Sequence, residues 1–258
     1  MILRRLTQHI EDQNWFAVAV DFLIVVVGVF IGIQVANWND AKSERVLEQQ
    51  VLIHIADDIK LDRVQLANGL NFARQNIVTA NYVFELAGLD PVTQLKLPMD
   101  EISALDITAS IIPAPIEPVL SDMDRLWSTA VLRFYPTQST SALDSLTAAG
   151  NLSLVKDADI VRQLQLYRQL WLGLERSQDS TLKAFRDQTL FVGQKFGLSP
   201  FSDVAPDELA TLIADNPELA GALMTLTEYT ILHLRQIESQ DKRADELLAS
   251  LQQRRDTD

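Results

Sequence analysis

The sequence predicts an all-α protein: one N-terminal transmembrane helix, then an elongated up-and-down helical bundle interrupted by a Pro-rich irregular insertion. Three observations carry that prediction. They are a single long apolar run near the start, apolar residues at three and four spacing through the rest, and little β-branched alternation outside the apolar run.

Phe16 to Ala36 reads FAVAVDFLIVVVGVFIGIQVA, broken only by Asp21 and Gln34. At 1.5 Å per residue such a helix spans about 30 Å, the thickness of the hydrocarbon layer. Trp15 and Trp38 bracket the run as membrane-interface anchors, where amphipathic rings settle. No small-x-small cleavage site follows Ala36, so the segment is expected to stay as an uncleaved signal anchor.

Arg4 and Arg5 precede the span, while Lys42 and Arg45 follow it. An Arg pair in a short leader favours a cytoplasmic N-terminus and a periplasmic C-terminal domain, in a bacterial inner membrane. The domains expected are a short tail at 1–15, the transmembrane helix at 16–36, an α-helical extramembrane domain at 37–253 and a frayed tail at 254–258.

Within the span, Val25, Gly28, Gly32 and Val35 all fall within about 40° of Asp21 on a helix turning 100° per residue. Gly28-x-x-x-Gly32 lets backbones approach closely in lipid, and Asp21 on the same face favours a protein neighbour over lipid. This stripe is the expected association face, for a second copy or for a partner membrane protein.

An acidic residue opening the span, a Val-Val-Val-Gly-Val-Phe-Ile-Gly-Ile run and then Gln34-Val-Ala-Asn37-Trp38-Asn39 resemble a family of uncharacterised bacterial single-pass membrane proteins. A second similar stretch is Leu146 through Gly150-Asn151-Leu152, then Lys156-Asp157 and Leu164 to Tyr167. Asp21 stands where that family commonly has Glu. The resemblance implies the topology and a helical fold, and it brings no activity and no site residues.

Residues 37 to 258 hold 20 Lys+Arg against 32 Asp+Glu. Phosphate backbones need clustered cations, so no nucleic-acid partner is expected. The chain has no cysteine, which removes disulfides, thiolate metal sites and cysteine nucleophiles together.

Apolar spacing predicts a long helix from Asp40 to Leu86, out of register only at Arg63 and ended by Gly88 and Pro91. It can continue directly from the span. Residues 89 to 120 hold five of the nine prolines, and only a short helix over Met99 to Ile107 is expected there. Short helices follow over Asp122 to Phe134 and Ser139 to Ala149, then a long one from Asp157 to Phe196. Pro206-Asp207-Glu208 opens a short helix, and Asn216-Pro217-Glu218 caps the final one.

Candidate chemistry is sparse. His54 with Asp57 and Asp58 has the spacing of a metal pair but lacks a third ligand, and reads as a solvated helix face. His233 falls on the apolar face of the last helix near Thr230 and Gln240, as a buried histidine that pins register. Trp127, Phe134, Tyr135, Tyr167 and Trp171 fit core positions better than a pocket. No residue is assigned a catalytic, cofactor or metal role.

Two functions are compatible with this reading. One is a membrane-anchored interaction, sensory or scaffolding module without catalysis, whose short leader holds no output domain, so that a signal would pass through a partner. The other is an envelope-acting hydrolase with its site among Trp127, Tyr135 and nearby acids.

Overall fold

The computed structural model describes residues 15–93, 120–139 and 154–257, with backbone alone at 15–19, 21, 120–122 and 255–257. Every regular element among them is helical, and no strand occurs, so the all-α class is observed. The expected helix over Met99 to Ile107, all of the expected helix over Ser139 to Ala149 except Ser139, most of the Pro-rich segment and the Gly150-Asn151-Leu152 turn lie outside the described residues. The chain divides into two compact units, Met1–Val51 and Leu52–Asp258.

Helix α1 covers Trp15–Leu86, so its sequence continues as helix past Trp38. In the first unit its apolar side chains from Phe22 to Val35 are exposed around the whole circumference. In the second unit the pattern turns one-sided, and Leu52, Ile55, Ile59, Leu66, Ala73, Ile77, Ala80 and Phe84 are buried at three and four spacing.

Gly88, at φ +71°, ends α1. Its N–H donates to the Glu85 carbonyl and that of Leu89 to the Phe84 carbonyl, satisfying two terminal acceptors in a left-handed cap. Asn81 then holds the departing chain by exchanging two hydrogen bonds with the Val92 backbone.

A 3₁₀ turn at Leu120–Arg125 leads into α2, Leu126–Val131. The expected helix over Asp122 to Phe134 is therefore shorter. Leu132 is already extended at ψ 140°, and the chain runs on without helix through Pro136, the residue before a proline being biased to extended backbone. The Asn76 amide donates to the carbonyls of Thr129 and Leu132, meeting the orphan acceptors of this helix end from α1.

The long helix expected from Asp157 to Phe196 is interrupted. It comprises α3, Ala158–Ser177, a π turn at Gln178–Leu182, and α4, Lys183–Gln194. Asp157 caps α3 by accepting from the N–H groups of Asp159 and Ile160. The π turn inserts one residue, so both Gln178 and Leu182 become buried, and the Gln178 amide reaches the Pro136 carbonyl at 3.4 Å. Gly197, at φ +78°, closes α4 with a second left-handed cap.

Helix α5, Pro206–Asp215, has proline and two acids in its first turn, as its sequence predicts. Helix α6 runs Pro217–Thr257, and so stays helical past Arg254, where fraying is the sequence expectation. It is the element against which α2, α3, α4 and α5 all pack. Three of its neighbours run antiparallel to it. Arg63 and Arg74 of α1 pair with Asp241 and Glu238, Gln163 and Tyr167 of α3 meet Ser250 and Gln240, and Phe185 and Lys195 of α4 meet Tyr229 and Glu218.

Gly193 of α4 faces the fully buried Trp127 so closely that a Cβ there would stand 2.5 Å from the ring, whereas a Cβ at Gly173 of α3 meets nothing within 4 Å. Alanine improves helix propensity at both sites, and the ring decides the difference. Gly193→Ala should destabilise by about 1 to 3 kcal/mol through overpacking. Gly173→Ala should stabilise by about 0.5 to 1 kcal/mol. Thermal or urea denaturation of the two variants reads the opposite signs.

Candidate functional site

Of the predicted association stripe, Val25, Gly28, Gly32 and Val35 lie on the helical, exposed part of α1, and no described atom comes within 4 Å of a Cβ built on either glycine. The side chains of Asp21 and Trp15 lie outside the described residues. Trp38 is exposed, with the Lys42 ammonium 5.7 Å from its ring centre. This helix is long and apolar enough to cross a membrane by length and composition.

His54 is exposed, and Asp57 pairs with Lys60 at 2.8 Å. Among the described residues no group of three His, Asp or Glu side chains is placed to hold a metal ion. The aromatic candidates divide between separate places. Trp127 sits in the core against Gly193 and Tyr135 packs half-buried on the same core beside α4, whereas Phe134 stacks on Phe72 at 5.5 Å and Tyr167 and Trp171 meet edge to face at 6.5 Å.

The Tyr167 position holds the most strongly perturbed carboxylate. Asp62 of α1 follows Ile59 by three residues and precedes Leu66 by four, so helix geometry turns it into the core, and it is 1% exposed. The Tyr167 hydroxyl donates to its Oδ2 at 2.8 Å, and the Ser139 N–H donates to its Oδ1. Burial raises its pKa to about 6 against the lowering effect of both donors, and the charges of Asp58 and Glu175 add to the rise. Burial and the Asp62 charge in turn push the Tyr167 phenol up.

Sequence reasoning passed over Asp62 because the neighbouring Arg63 drew the register break. The spacing 59, 62, 66 was the available signal. Arg63 itself reaches Asp241 at 3.1 Å and Asp245 at 2.6 Å on α6, which explains a cation at that edge of the stripe.

His233 is buried on α6, as its place in the apolar pattern predicts, and burial together with the Arg133 charge pushes its pKa down to about 4. It is neutral at physiological pH. Its Nε2 has no hydrogen-bond partner among the described residues, so it does not act as the hydrogen-bonded pin expected of a core histidine through that atom. Around Tyr135 the dominant charges are cations, Arg186, Arg133 and Lys183, rather than the acids an envelope hydrolase would gather there.

Comparison with family models, curated proteins and solved structures gives no match for this chain.

Because the folded state holds the Asp62 proton up to about pH 6 and the unfolded chain releases it near 3.8, the group's contribution to stability is full below pH 4 and is lost as pH rises to 6. The loss amounts to about 3 kcal/mol. Asp62→Asn keeps an acceptor for Ser139 and removes the titration. The difference in unfolding free energy between wild type and Asp62→Asn, followed from pH 4 to 7, should change by that amount in favour of the variant, and a flat difference would show that Asp62 titrates normally.

Proposed function

We propose that the chain is a single-pass inner-membrane protein of bacterial type, whose helical domain at 37–253 lies in the periplasm and works by contact with other molecules rather than by catalysis. The observation that carries this reading is the segment Phe22 to Val35, apolar and exposed on every side. A soluble helix buries one stripe and wets the other, so a helix apolar all round needs lipid or protein about it. Its length and its Trp38 flank suit a bilayer.

The Arg4-Arg5 leader supports a cytoplasmic N-terminus, and the resemblance of the Gln34-Val-Ala-Asn37-Trp38-Asn39 end to bacterial single-pass anchors supports an uncleaved signal anchor. We read the periplasmic part as an elongated up-and-down bundle carrying the Pro-rich segment as an insertion, in keeping with the antiparallel neighbours of α6. Contact within the membrane is assigned to Asp21, Val25, Gly28, Gly32 and Val35, and Trp15 and Trp38 are assigned as interface anchors.

An export-dependent reporter fused after Asp258 should be active and a cytosol-dependent one silent, and the reverse pattern would overturn the topology. In a membrane two-hybrid assay, Gly28→Ile with Gly32→Ile should weaken association of the span several-fold, and Asp21→Leu should weaken it further. A wild-type span with no self-association, together with native crosslinking that finds no partner at this stripe, would remove the contact face.

A further inference from the structure

Ion pairing in this acidic domain is generous, and Arg133 takes no part in it. Arg63, Arg74, Arg235 and Arg243 each reach a carboxylate within 3.3 Å. Arg133, which follows α2, meets none among the described residues. Its Nη1 donates to the carbonyls of Ala130 and Leu132, at 2.6 and 3.2 Å, so part of the guanidinium caps the end of its own helix. Its Nε is buried with no acceptor. Backbone carbonyls satisfy donors but do not neutralise a charge, and the half-buried Arg133 guanidinium is left without a counter-charge.

The surroundings add positive charge. The Lys183 ammonium stands 5.1 Å and the Arg186 guanidinium 5.6 Å from the centre of the Tyr135 ring. They lie one turn apart on α4 and are paired locally with Asp179 and Asp187. The Arg186 side chain is 26% exposed and that of Lys183 40%, so the cluster opens to solvent on the α4 side. The Tyr135 hydroxyl is buried, and it has no partner. Nε2 of His233, near enough to Arg133 to feel its charge, has none either.

Two carboxylates against three cations leave a net positive charge, in a chain whose overall charge is −13. Burial lowers the Arg133 pKa to about 9, with Arg186 adding to the drop and Tyr135 opposing it.

We propose that Arg133, Tyr135, Lys183 and Arg186 form a binding site for a phosphate group, either free phosphate or a phosphomonoester. The Arg133 Nε–H and the Tyr135 O–H, now without acceptors, each donate to a phosphate oxygen. Arg186 supplies a second guanidinium and Lys183 a point charge at the rim. A dianion gains from all three cations at once, whereas chloride offers no oxygens to the planar donors. The site stands on geometry within the helical domain and does not depend on where the membrane lies.

The test uses the full chain in non-ionic detergent, titrated calorimetrically with inorganic phosphate and with glycerol 3-phosphate at constant ionic strength, chloride serving as the control. Saturable binding of phosphate assigns the free ion, and tighter binding of glycerol 3-phosphate assigns the monoester. Arg133→Met and Arg186→Gln should each weaken binding at least about tenfold, and Tyr135→Phe several-fold. If Arg133→Met does not fold, Arg186→Gln and Tyr135→Phe, at partly exposed side chains, carry the comparison. No saturable binding of either phosphate, or unchanged affinity in Arg186→Gln and Tyr135→Phe, would each overturn the site.

Discussion

The second unit depends on one seam. Along α6, Leu219, Leu223, Leu226, Thr230, Leu234, Ile237, Ala244, Leu247 and Leu251 are buried at three and four spacing, and every other helix of the unit finds its core against this stripe or beside it. A helix of this length offers room for several partners in succession along its axis. Its N-terminal half takes α4 and α5 and its C-terminal half takes α3, while α1 lies against it near Ile237. Close approach is built in at the crossing with α1, where a Cβ on Gly69 would stand 3.1 Å from Ile237 Cδ1 and from Pro136 Cγ. No side chain fits there without displacement.

The polar residues enclosed by this packing are treated unequally. Asp62 has a phenol and a backbone N–H directed at it, two donors that hold a carboxylate in place when it is ionised. Thr227 and Thr230 return their hydroxyls to the carbonyls four residues back, which silences them within the helix. Arg133 has two backbone carbonyls for its Nη1 but no acceptor for its Nε and no counter-charge, and the His233 Nε2 and the Tyr135 hydroxyl have no partner among the described residues. Other buried atoms lack partners too, Trp127 Nε1 and Trp171 Nε1 among them, but at this corner the unmet donors gather with three cations.

The helices were legible because their burial is one-sided and their ends carry local signals. Gly88 stops α1 where the sequence places the stop, and Asn216-Pro217 starts α6 where the cap is expected. What escaped the sequence depends on contacts between distant segments. The π turn at Gln178 answers to the Pro136 carbonyl and to the alignment of α4 on α6, which no local pattern encodes. Asp62 sits on a readable apolar stripe, yet its partners come from residues 139 and 167. The cluster at Tyr135 combines three segments, and Arg133 looks like an ordinary surface residue until the fold encloses it.

The energetics of the proposed span decide how much one acid matters. Eleven large apolar residues between Phe22 and Val35 are exposed. At about 0.3 to 0.6 kcal/mol each, their insertion into a bilayer is favourable by roughly 3 to 7 kcal/mol. Asp21 opposes this by about 2.5 to 3.5 kcal/mol at the bilayer centre and by less near its edge. With that acid at the least favourable depth the sum runs from about zero to roughly 4 kcal/mol in favour of insertion, so a lone carboxyl group can cancel most of the gain but does not outweigh it. It does consume a large part of the gain. A neighbouring helix that donates to the carboxyl group, or closes over it along the Gly28 and Gly32 face, would recover that part, and the recovered energy is the driving force for association that the apolar residues themselves cannot supply in lipid.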